Sequence, residues 1–89
     1  MGLSNTYAII FKSRSRKELL QLPNKVIIAI EEKIDALAYN PRPSGCKKLV
    51  GTIDNYRIRI GNYRVIYTIA DNVCTIFIIK IANRKESYR

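Results

Sequence analysis

Hydrophobic positions along this chain follow two different periods, and the change between them separates a helical half from a β half. From Asn24 to Tyr39, Val26, Ile30, Ile34 and Leu37 recur at helical spacing, Ile27 and Ala38 widen the stripe, and Glu31, Glu32, Lys33 and Asp35 lie mostly off it. The pattern predicts an amphipathic helix of about four turns. Before it, Tyr7–Phe11 is a short β-rich run that predicts a first strand. Ser15-Arg16-Lys17-Glu18 has the form of a capping box. A short helix is therefore expected with Ser15 as its N-cap, carrying Leu19, Leu20 and Leu22 towards Pro23, which suits the first turn of the next element. Asn40-Pro41-Arg42-Pro43-Ser44-Gly45 ends the helical half.

Beyond that break the period is two. Lys48–Val50 is a short strand at best. Strands are then predicted over Tyr56–Ile60, Tyr63–Ala70 and Val73–Ile81, with Gly61-Asn62 and Asp71-Asn72 as turns. Gly-Asn suits a two-residue hairpin, because glycine takes the positive φ that a type II′ turn needs at its first position. The predicted fold class is α+β, in the order β-α-α-β-β-β(-β). Two N-terminal helices pack on one face of a small, mainly antiparallel sheet. Residues 1–89 are read as a single domain, since this length leaves no room for a second core.

The Gly61-Asn62 turn converts the pattern into geometry. With Ile60 and Tyr63 flanking two residues, Arg59 faces Arg64, Ile58 faces Val65 and Tyr56 faces Tyr67. Alternation assigns Tyr56, Ile58, Ile60, Tyr63, Val65 and Tyr67 to the face under the helices. Arg57, Arg59 and Arg64 fall on the other. Like charges directly opposite across strands destabilise a sheet, and no Asp or Glu occurs between Tyr56 and Ala70 to offset them. The arrangement makes sense where an external anion completes it, and guanidinium forks match phosphate oxygens in pairs. The plainer reading is that exposed basic residues keep a sheet soluble and unaggregated. Lys47 and Lys48 before the strands, and Arg84 and Lys85 after them, weigh against it by extending the patch.

Charge changes the picture further. Sixteen Lys and Arg against seven Asp and Glu give a net +9. Residues 1–40 hold six basic and four acidic residues, whereas residues 41–89 hold ten and three. A basic half of this kind is the electrostatic footprint of a polyanion binder, for nucleic acid or an acidic protein. There is no His, and Cys46 and Cys74 stand 28 positions apart without a CxxC unit. No metal site is expected from two thiols. Two reduced thiols are the expected state, although spacing alone leaves one disulfide open. No signal peptide or membrane span is predicted, so a cytoplasmic protein with no membrane partner is expected. Tyr88 lies among cations in the polar tail 83–89, where a base would stack on it or the ring would pack as an ordinary C-terminal tyrosine.

Residues 56–67 read YRIRIGNYRVIY, preceded by Pro41 and Lys48-Leu49-Val50-Gly51 and followed by Asn83-Arg84-Lys85-Glu86-Ser87-Tyr88. This run closely resembles RelE toxins of the RelE/ParE superfamily, and the likeness extends from Tyr7 to Arg89. The Arg84…Tyr88 pair favours the RNA-cutting RelE branch over the gyrase-poisoning ParE branch. The resemblance implies the toxin of a type II toxin–antitoxin system, a ribosome-dependent endoribonuclease (mRNA interferase) that enters the ribosomal A site and cleaves the codon there. It implies no metal and no cofactor. By the family pattern Arg57 and Arg59 take the two basic positions of the central strand, and Arg64 steadies the transition state. Arg84 stands near the leaving group and Tyr88 stacks on and orients the RNA. Lys47, Lys48, Lys85 and Arg89 are expected to bind RNA around them. The implied partners are a RelB-like antitoxin, the ribosome with its mRNA, and operator DNA only as a toxin–antitoxin complex.

The chain departs from the family pattern in ways that bear on chemistry. The two central-strand positions are lysines in some relatives and arginines here. Arginine stays protonated and cannot act as an ordinary general base. With no His, the titratable candidates are Tyr88, Glu86 and Asp54. Catalysis is therefore expected to rest mainly on charge stabilisation of the pentacoordinate phosphate and on in-line alignment. Asn83 stands where His or Lys is common, and the final helix of some relatives is absent. Two other functions fit the same residues: a ParE-like inhibitor of DNA gyrase without nuclease activity, and a non-catalytic basic module that docks on nucleic acid.

Overall fold

The computed structural model describes residues 6–83. Strand β1 (Ala8–Phe11) leads into helices α1 (Ser13–Leu20) and α2 (Asn24–Leu37), and then into β2 (Lys47–Lys48), β3 (Asn55–Ile60), β4 (Tyr63–Ala70) and β5 (Thr75–Asn83). The strands form one sheet in the order β1-β5-β4-β3-β2, with β1 parallel to β5 and every other pairing antiparallel. Both helices lie on one face. Ile30, Ile34 and Leu37 of α2 and Leu19 of α1 are buried against the inward residues of β3, β4 and β5. The 3.6-residue stripe of α2 thus meets the two-residue alternation of the strands, as the α+β reading expects.

The β3–β4 hairpin follows the predicted register throughout, from Ile60 opposite Tyr63 to Tyr56 opposite Tyr67. Gly61 has φ +59, and Cys74 is the one described non-glycine residue with positive φ. The turn therefore carries its single positive φ at the first position, as type II′ requires. The second connection differs from the expected Asp71-Asn72 turn. Asp71–Val73 form a 3₁₀ turn, Cys74 is left-handed at φ 46 and ψ 52, and β5 begins only at Thr75. Four residues close this hairpin because Ala70 pairs with Thr75.

Ser15 does not cap α1. The helix starts at Ser13, with Lys12 as N-cap and no side-chain capping bond. Ser15 is 0% exposed, and its hydroxyl donates to the carbonyls of Lys12 and Ile78, each at 2.8 Å. Glu18 does not reach back either: Ile81 donates its backbone N–H to Glu18 Oε1 at 2.9 Å. The reason lies in the sheet. β1 ends opposite Ile78, leaving the last part of β5 without a strand on that side. Backbone groups there still need partners, and the first turns of α1 supply them. Ser15→Ala is expected to cost about 1 kcal/mol, read as a shift in the urea midpoint at constant m-value. Of the leucines this helix carries, Leu19 is buried and Leu20 is mostly exposed.

A polar cluster ties the α2–β2 loop to the β4–β5 turn. Arg42 bridges to Asp71 at 2.8 Å and donates from Nε to the Tyr56 hydroxyl at 3.1 Å, while Tyr7 donates to Asp71 at 2.6 Å. Tyr67, fully buried, donates to the Pro41 carbonyl at 2.8 Å. Bonds from Arg42 and then Tyr7 hold the Asp71 carboxyl below the usual carboxylate range. A depressed carboxyl stabilises the fold above its unfolded pKa of about 3.9, and that contribution is lost as pH falls through the folded value. The Tm difference between wild type and Asp71→Asn is thus expected to be constant above about pH 5 and to shrink below about pH 4. A difference independent of pH down to acid unfolding would refute the role given to this ion pair.

Candidate nucleic-acid interface

The sheet face away from the helices is set by pairing. Partners across strands share a face, and Val65 and Tyr67 point into the core, so Arg64, Ile66 and Thr68 point out. Arg59 sits opposite Arg64, and Arg64 opposite Ala82. In the next row Lys47 pairs with Arg57, Arg57 with Ile66, and Ile66 with Lys80. Directly opposed side chains have Cβ atoms about 4.5–5.5 Å apart. Arg59 is exposed, while Arg57 and Arg64 are half-buried.

Structure and sequence part over three positions. Lys48 pairs with Tyr56, not with an arginine, and so projects from the helix side of the sheet edge. Adjacent residues of a two-residue strand cannot share a face, which separates Lys48 from Lys47. Lys80 was missed. Plain alternation from Ile76 and Ile78 would send it into the core, but the register shifts between Ile66 and Tyr67. Ile78 and Ile81 are both buried, so the extra residue of this bulge turns Lys80 outward beside Ile66. Lys12 was missed as well. It follows β1, and its ammonium lies 4.9 Å from the Phe77 ring centroid, Phe77 being paired with Ile10 on the same face.

Among the described residues, this face presents Lys12, Lys47, Arg57, Arg59, Arg64 and Lys80 and no carboxylate. Asp54 is not part of it. It lies before the start of β3, five residues from Arg59, with its carbonyl accepting from Ile69. Arg84, Lys85, Glu86, Tyr88 and Arg89 lie outside the described residues. Cys46 and Cys74 are free thiols. No helix among the described residues is long and apolar enough to cross a membrane.

Residues 9–88 match the family model of the ParE toxin of the type II toxin–antitoxin system parDE. The chain belongs to the RelE/ParE family of type II toxins. The toxin is 35% identical over 79 residues to the putative toxin RelE1 of Methanocaldococcus jannaschii, covering 85% of this chain and 88% of that one. It is 29% identical over 83 residues to the mRNA interferase toxin RelE of Escherichia coli, covering 91% and 86%. Its fold superimposes on the RelE–RelB complex of Pyrococcus horikoshii with a TM-score of 0.80 at 36% identity, over 89% of this chain and 96% of that one. The toxin fold is thus two helices on a mixed five-stranded sheet, with the arginine-bearing face left open by both helices.

Proposed function

We propose that the toxin is an mRNA interferase that cleaves mRNA in the ribosomal A site, acting in the cytoplasm and held silent by a RelB-like antitoxin. The observation that carries this reading is the Arg59–Arg64 pair, flanked by Arg57, on a face with no described carboxylate. The E. coli relative named an mRNA interferase supports the same reaction class. In the proposed step the ribose 2′-oxygen attacks the adjacent phosphorus, forming a 2′-O–P bond. The P–O5′ bond then breaks. The 2′-OH loses its proton and the departing 5′-oxygen gains one, leaving a 2′,3′-cyclic phosphate and a 5′-OH.

Negative charge grows on the non-bridging oxygens along this path. Arg59 and Arg64 can bracket those oxygens with preorganised donors, and such donors act most strongly where charge develops. Neither can take the 2′-OH proton, because guanidinium does not deprotonate in this range. With Asp54 beyond the far end of β3, Glu86 and Tyr88 remain as titratable candidates, and alignment with charge stabilisation carries most of the rate. The antitoxin, being the partner of the relative from P. horikoshii, is assigned here as the cover for a surface that would otherwise bind nucleic acid indiscriminately. Operator DNA is assigned to the toxin–antitoxin complex only.

The test is incubation of purified toxin with programmed ribosomes and mRNA, with analysis of product ends. Cyclic-phosphate and 5′-OH ends inside the A-site codon are expected. The matching family model is that of ParE, which keeps a gyrase-directed toxin as the second reading. Intact mRNA together with trapped gyrase–DNA complexes would select it and remove the interferase.

A further inference from the structure

The bulge in β5 changes how far the cationic face extends. Lys80 stands two positions from Ala82, the residue opposite Arg64, so it is the diagonal neighbour of Arg64 across the β4–β5 pairing. Diagonal neighbours lie about 7–8 Å apart, somewhat less between their Cβ atoms, a step comparable to the separation of neighbouring phosphates along a nucleic-acid strand. Lys12 follows on the far side of β5, where its N–H donates to the Ile78 carbonyl at 3.0 Å. Its ammonium is held over Phe77 rather than left to swing freely, which lowers the ordering cost of binding an anion there. Ile66, Phe77 and Ile10 make an apolar floor between these cations. A bulge costs a strand its regular pairing, and such irregularities commonly re-aim a side chain next to a site.

From this placement we infer that the arginine site continues as a phosphate-binding track across β5 to the end of β1. Lys80 and Lys12 hold successive phosphates of a single RNA strand on the β5 and β1 side of the one between Arg59 and Arg64. The inference rests on the proposed RNA reading and adds two residues that position the strand without touching the reacting phosphate. It also gives the RNA a direction over the sheet, from β3 towards β1.

The experiment is fluorescence anisotropy of a labelled ten-nucleotide single-stranded RNA with the full-length chain, from 50 to 200 mM KCl. Each phosphate contact on a single strand contributes about 0.7 to the slope of log affinity against log salt. Lys80→Ala and Lys12→Ala are each expected to lower the slope by about 0.7, and the double variant by about 1.4. Lys17→Ala, on the exposed side of α1, is the reference and should leave it at the wild-type value. On programmed ribosomes the lysine variants should lose efficiency in KM rather than in kcat, the mark of strand positioning. Slopes for Lys80→Ala and Lys12→Ala equal to that of Lys17→Ala would overturn the track, as would absence of RNA binding by the wild type. Failure of the interferase reading is separable. It would show as intact mRNA with wild-type toxin, whatever the lysine slopes.

Discussion

Replacing Arg64 by alanine is expected to slow cleavage on programmed ribosomes by about 10²–10³-fold, the usual loss when one preorganised donor to a transition-state oxyanion is removed. The variant is expected to stay folded, with a stability loss well below that of a core truncation. The side chain leaves the sheet on the face opposite the core. Removing it also relieves the like-charge pairing with Arg59. Arg64→Lys should recover only part of the rate, since an ammonium keeps the charge but not the planar fork. The discriminating measurement is single-turnover cleavage at saturating ribosomes beside a thermal melt. Full activity in a folded Arg64→Ala variant would remove this residue from the site.

The largest effect on stability is expected from the other face of the same sheet. Ile78 is 0% exposed, on β5 between β1 and β4. Ile78→Ala removes three carbons from a packed position that the surroundings cannot refill, at a cost of about 2–5 kcal/mol. Total stabilities run about 0.05–0.15 kcal/mol per residue, or about 4–13 kcal/mol for a domain of this length, so the loss takes a large share of the margin. A marked fall in Tm and in the denaturant midpoint is therefore expected. Ile10→Ala, at 46% exposure on the open face, is expected to cost under about 1 kcal/mol. Denaturant titrations of the two variants compare the faces directly. Equal losses would contradict the division of the sheet into a core face and a binding face.

How much of this was legible in the sequence depends on how local the controlling interaction is. The β3–β4 register could be read because a two-residue Gly61-Asn62 turn fixes every pair beyond it, including Arg59 with Arg64. The stripe of α2 was legible because one helix carries its own period. The parallel pairing of β1 with β5 was not, since it joins residues 67 positions apart, as in Ala8 with Thr75. The misreading of Ser15 has the same origin. A capping box is a local signal, and it gave way to the non-local need of Ile78 and Ile81 for partners. Lys80 was hidden because a bulge reverses alternation without a glycine or proline to mark it. Lys12 was hidden because its place on the open face depends on where β1 joins the sheet.

The central claim is that the arginine face cuts mRNA during translation. Its most direct test is induced expression in a bacterial host, with growth followed and transcript 5′ ends mapped, for wild type and Arg64→Ala side by side. Growth arrest with new 5′-OH ends inside translated codons, both lost in the variant, is the expected result. Arrest without such ends, or ends that persist in a stably expressed Arg64→Ala toxin, would contradict it.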